Sequence, residues 1–445
     1  MKASDSEIIS FALKQSGNIG FNPSDIDIHI KSDTIRIHIK TNTDLSSLIP
    51  DITIKGISIS PATGIPQDFS RPVTYTVTAE NGNKRKYVVI VTTQQAGSIV
   101  YFGCSNNTFY ALDANTGALK WKYEADNWFS FSSPAVNNGI VYAGCINGNL
   151  YAFDALTGAV QWKFAAEQGI ESSPAVFGGT VYFGSTDDHL YAVDALTGQL
   201  KWKYSAGYNV GSSPTVANGI VYFGSDDSYI NALDATTGAV KWRYQTPSLL
   251  NQSSPSVVEG ILYIGCRDGY LYALDAASGI LKWKYDAKGI SLEMTSPTVV
   301  DGRIYMTGWY KVSQFSEKGS AFVLDAKTGS LIWESLHNLG FASSPFVAGD
   351  KVFVGCDDGN FYALNKATGN VVWEKYIIPN NSSPTIADGT AFIGGGGTGL
   401  FYALDVETGN IKWSFPIRNG LCTSNPSVLG EQGIVYHPSN SGAQP

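Results

Sequence analysis

The chain has 445 residues, a formal net charge of −8 at pH 7 and a charged fraction of only 15%. It is too long for one ordinary domain, and its acidic balance argues against nucleic-acid binding, which requires a basic surface. No apolar run approaches the roughly 18 residues of a membrane span, and no apolar segment of the signal-peptide type follows residues 1–5. We therefore expect no transmembrane segment and no nucleic-acid partner.

The first 96 residues consist of short runs in which apolar and polar side chains alternate. Such runs occupy residues 26–30, 35–39, 73–77 and 87–91, and this period of two is typical of β-strands. Asn81-Gly82 lies between the last two runs and supplies the positive φ angles of a tight hairpin. About six short strands in a segment of this length predict a small β-sandwich.

The rest of the chain is organised around one repeated stretch. Residues 111–121 read A-x-D-x-x-T-G-x-x-x-W, and the pattern returns at intervals of about 40 residues, a period typical of β-propellers. One interval, before Trp333, is about ten residues longer. Each repeat carries four strand-like runs, which predicts eight blades of four strands. The eight tryptophans of the pattern are Trp121, Trp162, Trp202, Trp242, Trp283, Trp333, Trp373 and Trp413.

The residue types within a repeat assign its strands to places in the blade. In Lys120-Trp121-Lys122 the alternation places Trp on one face and both cations on the other. The indole is then expected to pack between blades, where its N–H finds a partner. The charges suit an outermost strand. The Pro of each Ser-Ser-Pro cannot donate to a strand ladder, which places this segment on the innermost strand, beside the channel.

The two ends of the repeat region are predicted to meet. The first blade begins at Ile99 without a Ser-Ser-Pro strand, and residues 424–428 can supply that strand. Residues 433–437 then have no free place in a blade, and we expect them to run outward as a tail. Four of the five cysteines, all but Cys422, share one repeat position that is Ser in two other blades. We expect small buried side chains there and no regular disulfide framework.

The repeat is similar to the tryptophan-docking motif of the pyrroloquinoline quinone (PQQ)-like propeller family, from residue 97 to about 430. The first segment resembles immunoglobulin-like modules of Bacteroidetes surface and periplasmic proteins, with Leu48-Ile49-Pro50, Ser60-Pro61 and Asp68-Phe69-Ser70 as cues. The predicted fold is all-β: an immunoglobulin-like β-sandwich over residues 1–96, then an eight-bladed β-propeller over residues 97–445. The resemblance implies a periplasmic or cell-surface location.

One face of the propeller is predicted to bind a ligand. The segment before each Ser-Ser-Pro and the turn before each Tyr-Ala-Leu-Asp should share this face, and their residues differ between blades, as specificity-determining loops do. The longer repeat adds residues to the same face. Aromatic, amide and carboxylate groups there suit a sugar, a peptide or a flat cofactor; the alternative is that the aromatics only cap the blades. The predicted face comprises Trp128, Phe129, Phe131, Glu171, Tyr208, Asn209, Asn251, Gln252, Glu293, Met294, Trp309, Tyr310, Lys311, Phe341, Asn380, Asn381 and Arg418.

The family contains both quinoprotein alcohol dehydrogenases and non-catalytic scaffolds. A dehydrogenase would need PQQ and Ca²⁺, with oxygen ligands that Glu171, Asn251 and Glu293 could supply. The long insertions and adjacent cysteine pair typical of these enzymes are absent from the sequence. We therefore predict no catalytic residues, no metal and no cofactor. The expected function is a monomeric, non-catalytic binding or scaffold protein of the bacterial envelope with a protein or glycan partner; the alternative is a PQQ- and Ca²⁺-dependent dehydrogenase of alcohols or sugars.

Overall fold

The computed structural model describes residues 6–13, 26–31, 33–39, 45–69, 71–93, 98–129, 131–313, 316–337, 340–341, 343–379, 381–418, 420–422, 424–429 and 435–436. Within these ranges every regular element is a β-strand, and no helix is present that could cross a membrane. The chain forms two compact units, Met1–Ala96 and Gly97–Pro445.

The first unit is a small β-sandwich. A two-stranded sheet pairs β1 (Glu7–Leu13) with β4 (Pro50–Lys55), and β1 was not predicted. A five-stranded sheet has the order β2 (Ile26–Lys31), β3 (Thr34–Ile39), β7 (Lys84–Thr93), β6 (Val73–Thr78), β5 (Ser58–Ser60). Side chains of both sheets, including Phe11 and Tyr75, form one buried core. The all-β sandwich prediction is confirmed.

The second unit is an eight-bladed propeller, as predicted. Each blade is an antiparallel sheet whose strands follow chain order from the channel outward. Blade 2 comprises β11 (Ala135–Asn137), β12 (Ile140–Gly144), β13 (Asn149–Asp154) and β14 (Val160–Ala165). Blade 3 comprises β15 (Ala175–Phe177), β16 (Thr180–Gly184), β17 (His189–Asp194) and β18 (Leu200–Ser205). Blade 4 comprises β19 (Thr215–Ala217), β20 (Ile220–Ser225), β21 (Tyr229–Asp234) and β22 (Val240–Gln245).

The next four blades repeat this arrangement. Blade 5 comprises β23 (Ser256–Val258), β24 (Ile261–Gly265), β25 (Tyr270–Asp275) and β26 (Leu281–Asp286). Blade 6 comprises β27 (Thr298–Val300), the extended hairpin β28 (Arg303–Ser313) and β29 (Ser316–Asp325), and β30 (Leu331–His337). Blade 7 comprises β31 (Phe346–Ala348), β32 (Lys351–Gly355), β33 (Asn360–Asn365) and β34 (Val371–Tyr376). Blade 8 comprises β35 (Thr385–Ala387), β36 (Thr390–Gly395), β37 (Leu400–Asp405) and β38 (Ile411–Pro416).

Blade 1 closes the ring with strands from both ends of the repeat region. It contains β8 (Ile99–Gly103), β9 (Thr108–Asp113) and β10 (Leu119–Glu124), and β39 (Ser427–Leu429) is its inner strand. Ser427 lies opposite Tyr101, and Leu429 lies opposite Ile99. The predicted closure is therefore confirmed.

The expectation of an outward tail after the closure is wrong. Strand β40 (Val435–Tyr436) pairs antiparallel with β39. It is the fifth strand of blade 1, on the channel side of the sheet. The inner edge of β39 has backbone N–H and C=O groups that β8 does not pair, and β40 forms hydrogen bonds with this edge. The other residues of 433–437 lie outside the described ranges.

A disulfide also joins the two ends, which corrects the prediction for Cys104. Cys104 follows β8, Cys422 precedes β39, and the two are bonded across 318 residues of sequence. Ring closure brings them together, an effect that spacing along the chain does not reveal. Cys145, Cys266 and Cys356 are buried thiols that take no part in this disulfide, as predicted for this repeat position. Burial raises the pKa of Cys145 to about 11.

The tryptophans dock each blade onto the next. Trp121 donates its Nε1–H to the Ala155 carbonyl of the following blade at 3.0 Å, and the Tyr101 hydroxyl donates to the same oxygen at 2.9 Å. Equivalent Trp bonds occur at six other junctions. Trp283 is the exception, since its buried Nε1–H has no partner in the described part of the chain. The predicted hydrogen bond of the indole is therefore confirmed at seven of the eight junctions and not at Trp283.

Two structural features explain why Thr-Gly recurs at this turn of the repeat. Gly158 has φ of 73°, and a Cβ atom built on it would lie 2.6 Å from the Trp121 ring. Only glycine combines this backbone angle with room for the indole. Asp154 fixes the same turn, because its Oδ1 accepts hydrogen bonds from the N–H and the hydroxyl of Thr157, both at 2.8 Å.

Candidate functional site

A ring of hydroxyl groups surrounds the central channel. It is formed by the second residue of each Ser-Ser-Pro segment, and each backbone N–H donates to the side chain at the same position of the next blade. Six such Ser-to-Ser bonds measure 2.8–3.0 Å, and Ser383 donates to Asn425 Oδ1. Six serine oxygens of the ring each accept one of these bonds, and a hydroxyl group that accepts can still donate its own hydrogen. The Ser254 hydroxyl donates to the Gln252 carbonyl at 3.3 Å.

The ring is irregular where the chain ends meet. Asn425 replaces serine in blade 1, and Ser133 Oγ is buried without a partner among the described residues. The first serine of each segment has a structural role instead. Ser132, for example, accepts a hydrogen bond from the Gly144 N–H of its own blade at 3.1 Å. The Ser-Ser pair therefore links strands within a blade and also links neighbouring blades.

The hydroxyl ring opens into a small cavity at the predicted face. The cavity volume is about 80 Å³, enough for a few water molecules at about 30 Å³ each. Five of the predicted face residues lie around it: Phe131, Glu171, Gln252, Met294 and Asn381. Phe131 is held at φ of 71°, an unusual angle for a bulky side chain and one more often found at functional sites.

Carboxylates follow one arc of this face. Burial, with a smaller contribution from Asp226, raises the pKa of Glu171 above its ordinary value. Burial also raises the pKa of Asp226, to which Glu293 and Asp227 contribute. Glu293 is only 6% exposed; its Oε2 lies 3.6 Å from Arg267 Nε, and its Oε1 accepts from Ser291. No group of three or more His, Cys, Asp or Glu residues able to hold a metal occurs in the described ranges.

The remaining predicted face residues are placed differently. Phe129 and Phe341 are buried in the packing between blades, at 1% and 0% exposure, so the prediction that they face a ligand is wrong. The apolar side chains of both residues pack into the hydrophobic core between blades. Tyr208 is 63% exposed, and Asn209 is also exposed.

The predicted face residues that remain are those of the longer repeat and two asparagines. Trp309 and Tyr310 are half-buried on the extended hairpin of blade 6, where Trp309 bridges to Ser291 by two backbone hydrogen bonds. Asn251 is half-buried and directs its Nδ2 toward Met294 Sδ at 3.7 Å. The side chain of Lys311 and all of Asn380 lie outside the described residues.

A larger groove lies over blade 1, between the segments that lead from blade 8 into blade 1 and from blade 1 into blade 2. We call it the blade 1 groove, and its volume is about 820 Å³. Of its lining residues, only Trp128 and Arg418 were predicted. The turn before Tyr110 belongs to the predicted face by its repeat position, but its amides were not singled out. The lining includes Ser105, Asn106, Asn107, Tyr110, Lys122, Glu124, Trp128, Phe415 and Arg418.

Fold and repeat together define a PQQ-like repeat propeller joined to a small β-sandwich. The chain belongs to the PQQ_2 family, described as outer membrane protein assembly factor BamB, whose profile matches residues 87–169, 146–314 and 294–425. A second profile, described as "SGBP, N-terminal", matches residues 8–91. A search of curated proteins returned no match.

Solved structures share the propeller fold at low sequence identity. BamB from Moraxella catarrhalis is 19% identical, with a TM-score of 0.55 over 73% of this chain and 92% of that chain. A europium-containing methanol dehydrogenase is 17% identical, with a TM-score of 0.56 over 67% and 81%. The quinohemoprotein alcohol dehydrogenase ADHIIG from Pseudomonas putida HK5 is 18% identical, with a TM-score of 0.52 over 68% of each chain. These likenesses concern the fold alone.

The residues at the channel mouth do not fit PQQ with Ca²⁺. The cavity of about 80 Å³ is far below the roughly 300–1,000 Å³ of pockets that enclose small-molecule ligands. PQQ carries three carboxylates, whereas Glu171 already faces this space. Asn251 and Glu293 turn toward Met294 and Arg267 rather than toward a shared point with Glu171.

Proposed function

We propose that the chain is a non-catalytic binding protein of the bacterial envelope, located in the periplasm or at the cell surface. Its propeller presents the face around the channel mouth to a protein or glycan partner. The family description, which refers to outer membrane protein assembly, supports the envelope location. The sandwich unit serves as a spacer or docking module.

The proposal rests on two large aromatic side chains that are exposed to solvent on the predicted binding face of the propeller. Trp128 is 46% exposed and Tyr208 is 63% exposed. Both lie in segments that lead into an inner strand, where the residues differ from blade to blade. Exposed aromatics with few rotatable bonds are typical anchors of binding sites, because little side-chain entropy is lost when they are covered.

Replacing both aromatics should weaken partner binding at least tenfold without unfolding the protein. In the double variant Trp128→Ala/Tyr208→Ala we expect at least a tenfold increase in the Kd for a purified envelope protein or glycan that binds the wild type, measured by biolayer interferometry. The melting temperature should stay near the wild-type value, because neither side chain is buried. The control is Leu196→Ala, which removes a 73% exposed side chain at a Thr-Gly turn between the outer strands. Binding that is lost in the control but kept in the double variant would contradict the proposal.

A further inference from the structure

We infer that the blade 1 groove is an oligosaccharide-binding site, in which Trp128 is the stacking surface and Asn107 and Arg418 supply hydrogen bonds. The inference rests on the proposed binding function and names the ligand class. A sugar ring has an apolar C–H face and a rim of hydroxyls. It is therefore recognised by a flat aromatic side chain together with planar polar groups, and the groove contains both.

The stacking surface is held in place before a ligand arrives. The Trp128 N–H donates to Asn127 Oδ1 at 2.9 Å, and its carbonyl accepts from the Ile146 N–H at 2.9 Å. The next residue, Phe129, is fully packed, with its ring centroid 5.4 Å from that of Phe109. The exposed indole thus stands on a fixed backbone, which reduces the entropy cost of binding.

Hydrogen bonds also fix the width of the groove. Asn106 Nδ2 donates to the Tyr110 hydroxyl at 2.8 Å and to the Arg418 carbonyl at 3.1 Å, and so ties the blade 1 hairpin to the segment that enters from blade 8. Asn107 has φ of 64°, and its carbonyl accepts from the Ala125 N–H at 2.9 Å. These bonds use the side chain of Asn106 and the backbone of Asn107, and both residues line the groove.

The charges of the groove suit a neutral or acidic sugar. Lys122 Nζ and Glu124 Oε1 form an exposed ion pair at 2.6 Å, which presents a donor and an acceptor with little net charge. Each group shifts the pKa of the other: that of Lys122 is raised and that of Glu124 is lowered, so both stay charged near neutral pH. Arg418 is exposed and adds one positive charge. Its planar guanidinium matches either a pair of hydroxyls or a uronic acid carboxylate.

The shape of the groove favours a chain-like ligand over a protein surface. Its volume of about 820 Å³ falls within the roughly 300–1,000 Å³ of small-molecule sites. Tyr110 and Phe415 also line the groove. Their rings contact each other edge to face, with centroids 5.6 Å apart. Protein interfaces bury about 800 Å² per partner and exclude charge from their centre, whereas this concave site has charged and amide groups along its length.

The test uses the full chain and a panel of purified cello-, manno- and xylo-oligosaccharides and oligogalacturonides, from disaccharide to hexasaccharide. Isothermal titration should give saturable binding of at least one series at millimolar concentration or below. Trp128→Ala should then raise the Kd at least tenfold, Trp128→Phe should retain most of the affinity because it keeps a flat ring, and Asn107→Asp should raise the Kd several-fold. Phe177→Ala, which removes an aromatic side chain of similar exposure (47%) that does not line the groove, should bind like the wild type.

Each outcome separates the groove from the general binding function. Weakening by Tyr208→Ala but not by Trp128→Ala would overturn the groove assignment and leave a binding face elsewhere. If no oligosaccharide in the panel binds while a purified envelope protein does, the glycan inference is wrong and the proposed function stands. If neither an oligosaccharide nor an envelope protein binds, both the glycan inference and the proposed function are wrong. Unchanged affinity in both Trp128→Ala and Asn107→Asp would also overturn the inference.

Discussion

Replacing Gly158 with Ala should destabilise the propeller by about 2–5 kcal/mol. The left-handed backbone angle costs an L-residue about 1–2 kcal/mol, and overpacking against the Trp121 ring adds about 1–3 kcal/mol. Urea denaturation followed by Trp fluorescence measures the effect. The signal reports on the propeller, because all ten tryptophans lie in residues 97–445.

Gly139 in the same blade is a matched control for this substitution. It has the same φ of 73°, but a Cβ atom built on it would contact nothing within 4 Å. Gly139→Ala should therefore cost only the backbone strain, about 1–2 kcal/mol. In addition, combining Gly158→Ala with Trp121→Ala should cost less than the sum of the two single losses, since the clash disappears. Equal losses for the two glycines, or full additivity of the pair, would show that the indole does not restrict this turn.

Loss of the Cys104–Cys422 disulfide should have a comparably large effect. A cross-link over a loop of 318 residues removes much conformational entropy from the unfolded chain, about 6 kcal/mol in the chain-entropy description. The double variant Cys104→Ser/Cys422→Ser, or the reduced wild type, should lose stability by this amount in the same denaturation experiment.

The control for the disulfide is Cys145→Ser. Cys145 is free and buried at a repeat position that serine occupies in two other blades, so its replacement should change stability little. Reductant should lower the midpoint of the wild type and leave that of the double variant unchanged. A wild type that is insensitive to reductant, or a non-reducing peptide map without the Cys104–Cys422 pair, would refute the covalent closure.

The sequence was sufficient to predict the repeated parts of the fold. Trp, Thr-Gly and Ser-Ser-Pro recur because every blade junction has the same geometry, so one motif explains eight junctions. The closing strand at residues 427–429 was predictable because blade 1 lacked an inner strand. Strand β40 was not, since the free inner edge of β39 appears only when the sheet is assembled.

The candidate site was less predictable, because it forms where the repeat breaks. The disulfide and the blade 1 groove both combine residues from the two ends of the repeat region, such as Tyr110 with Phe415. The sequence pattern within one repeat does not show that residues from the two ends of the region lie side by side. The same limit explains Phe129: its neighbour Trp128 is exposed, yet nothing local to the sequence indicates which of two adjacent aromatics enters the core.

A thermal-shift titration with PQQ plus Ca²⁺, compared with Ca²⁺ alone, tests most directly whether this propeller is a non-catalytic binding protein. A ligand at 100 times its Kd stabilises the folded state by about 2.7 kcal/mol, so real binding would be easily measured. We expect identical melting curves with and without PQQ at saturating Ca²⁺. A dose-dependent rise in melting temperature with PQQ, together with dye reduction by an alcohol or sugar, would contradict the account and identify the chain as a quinoprotein dehydrogenase.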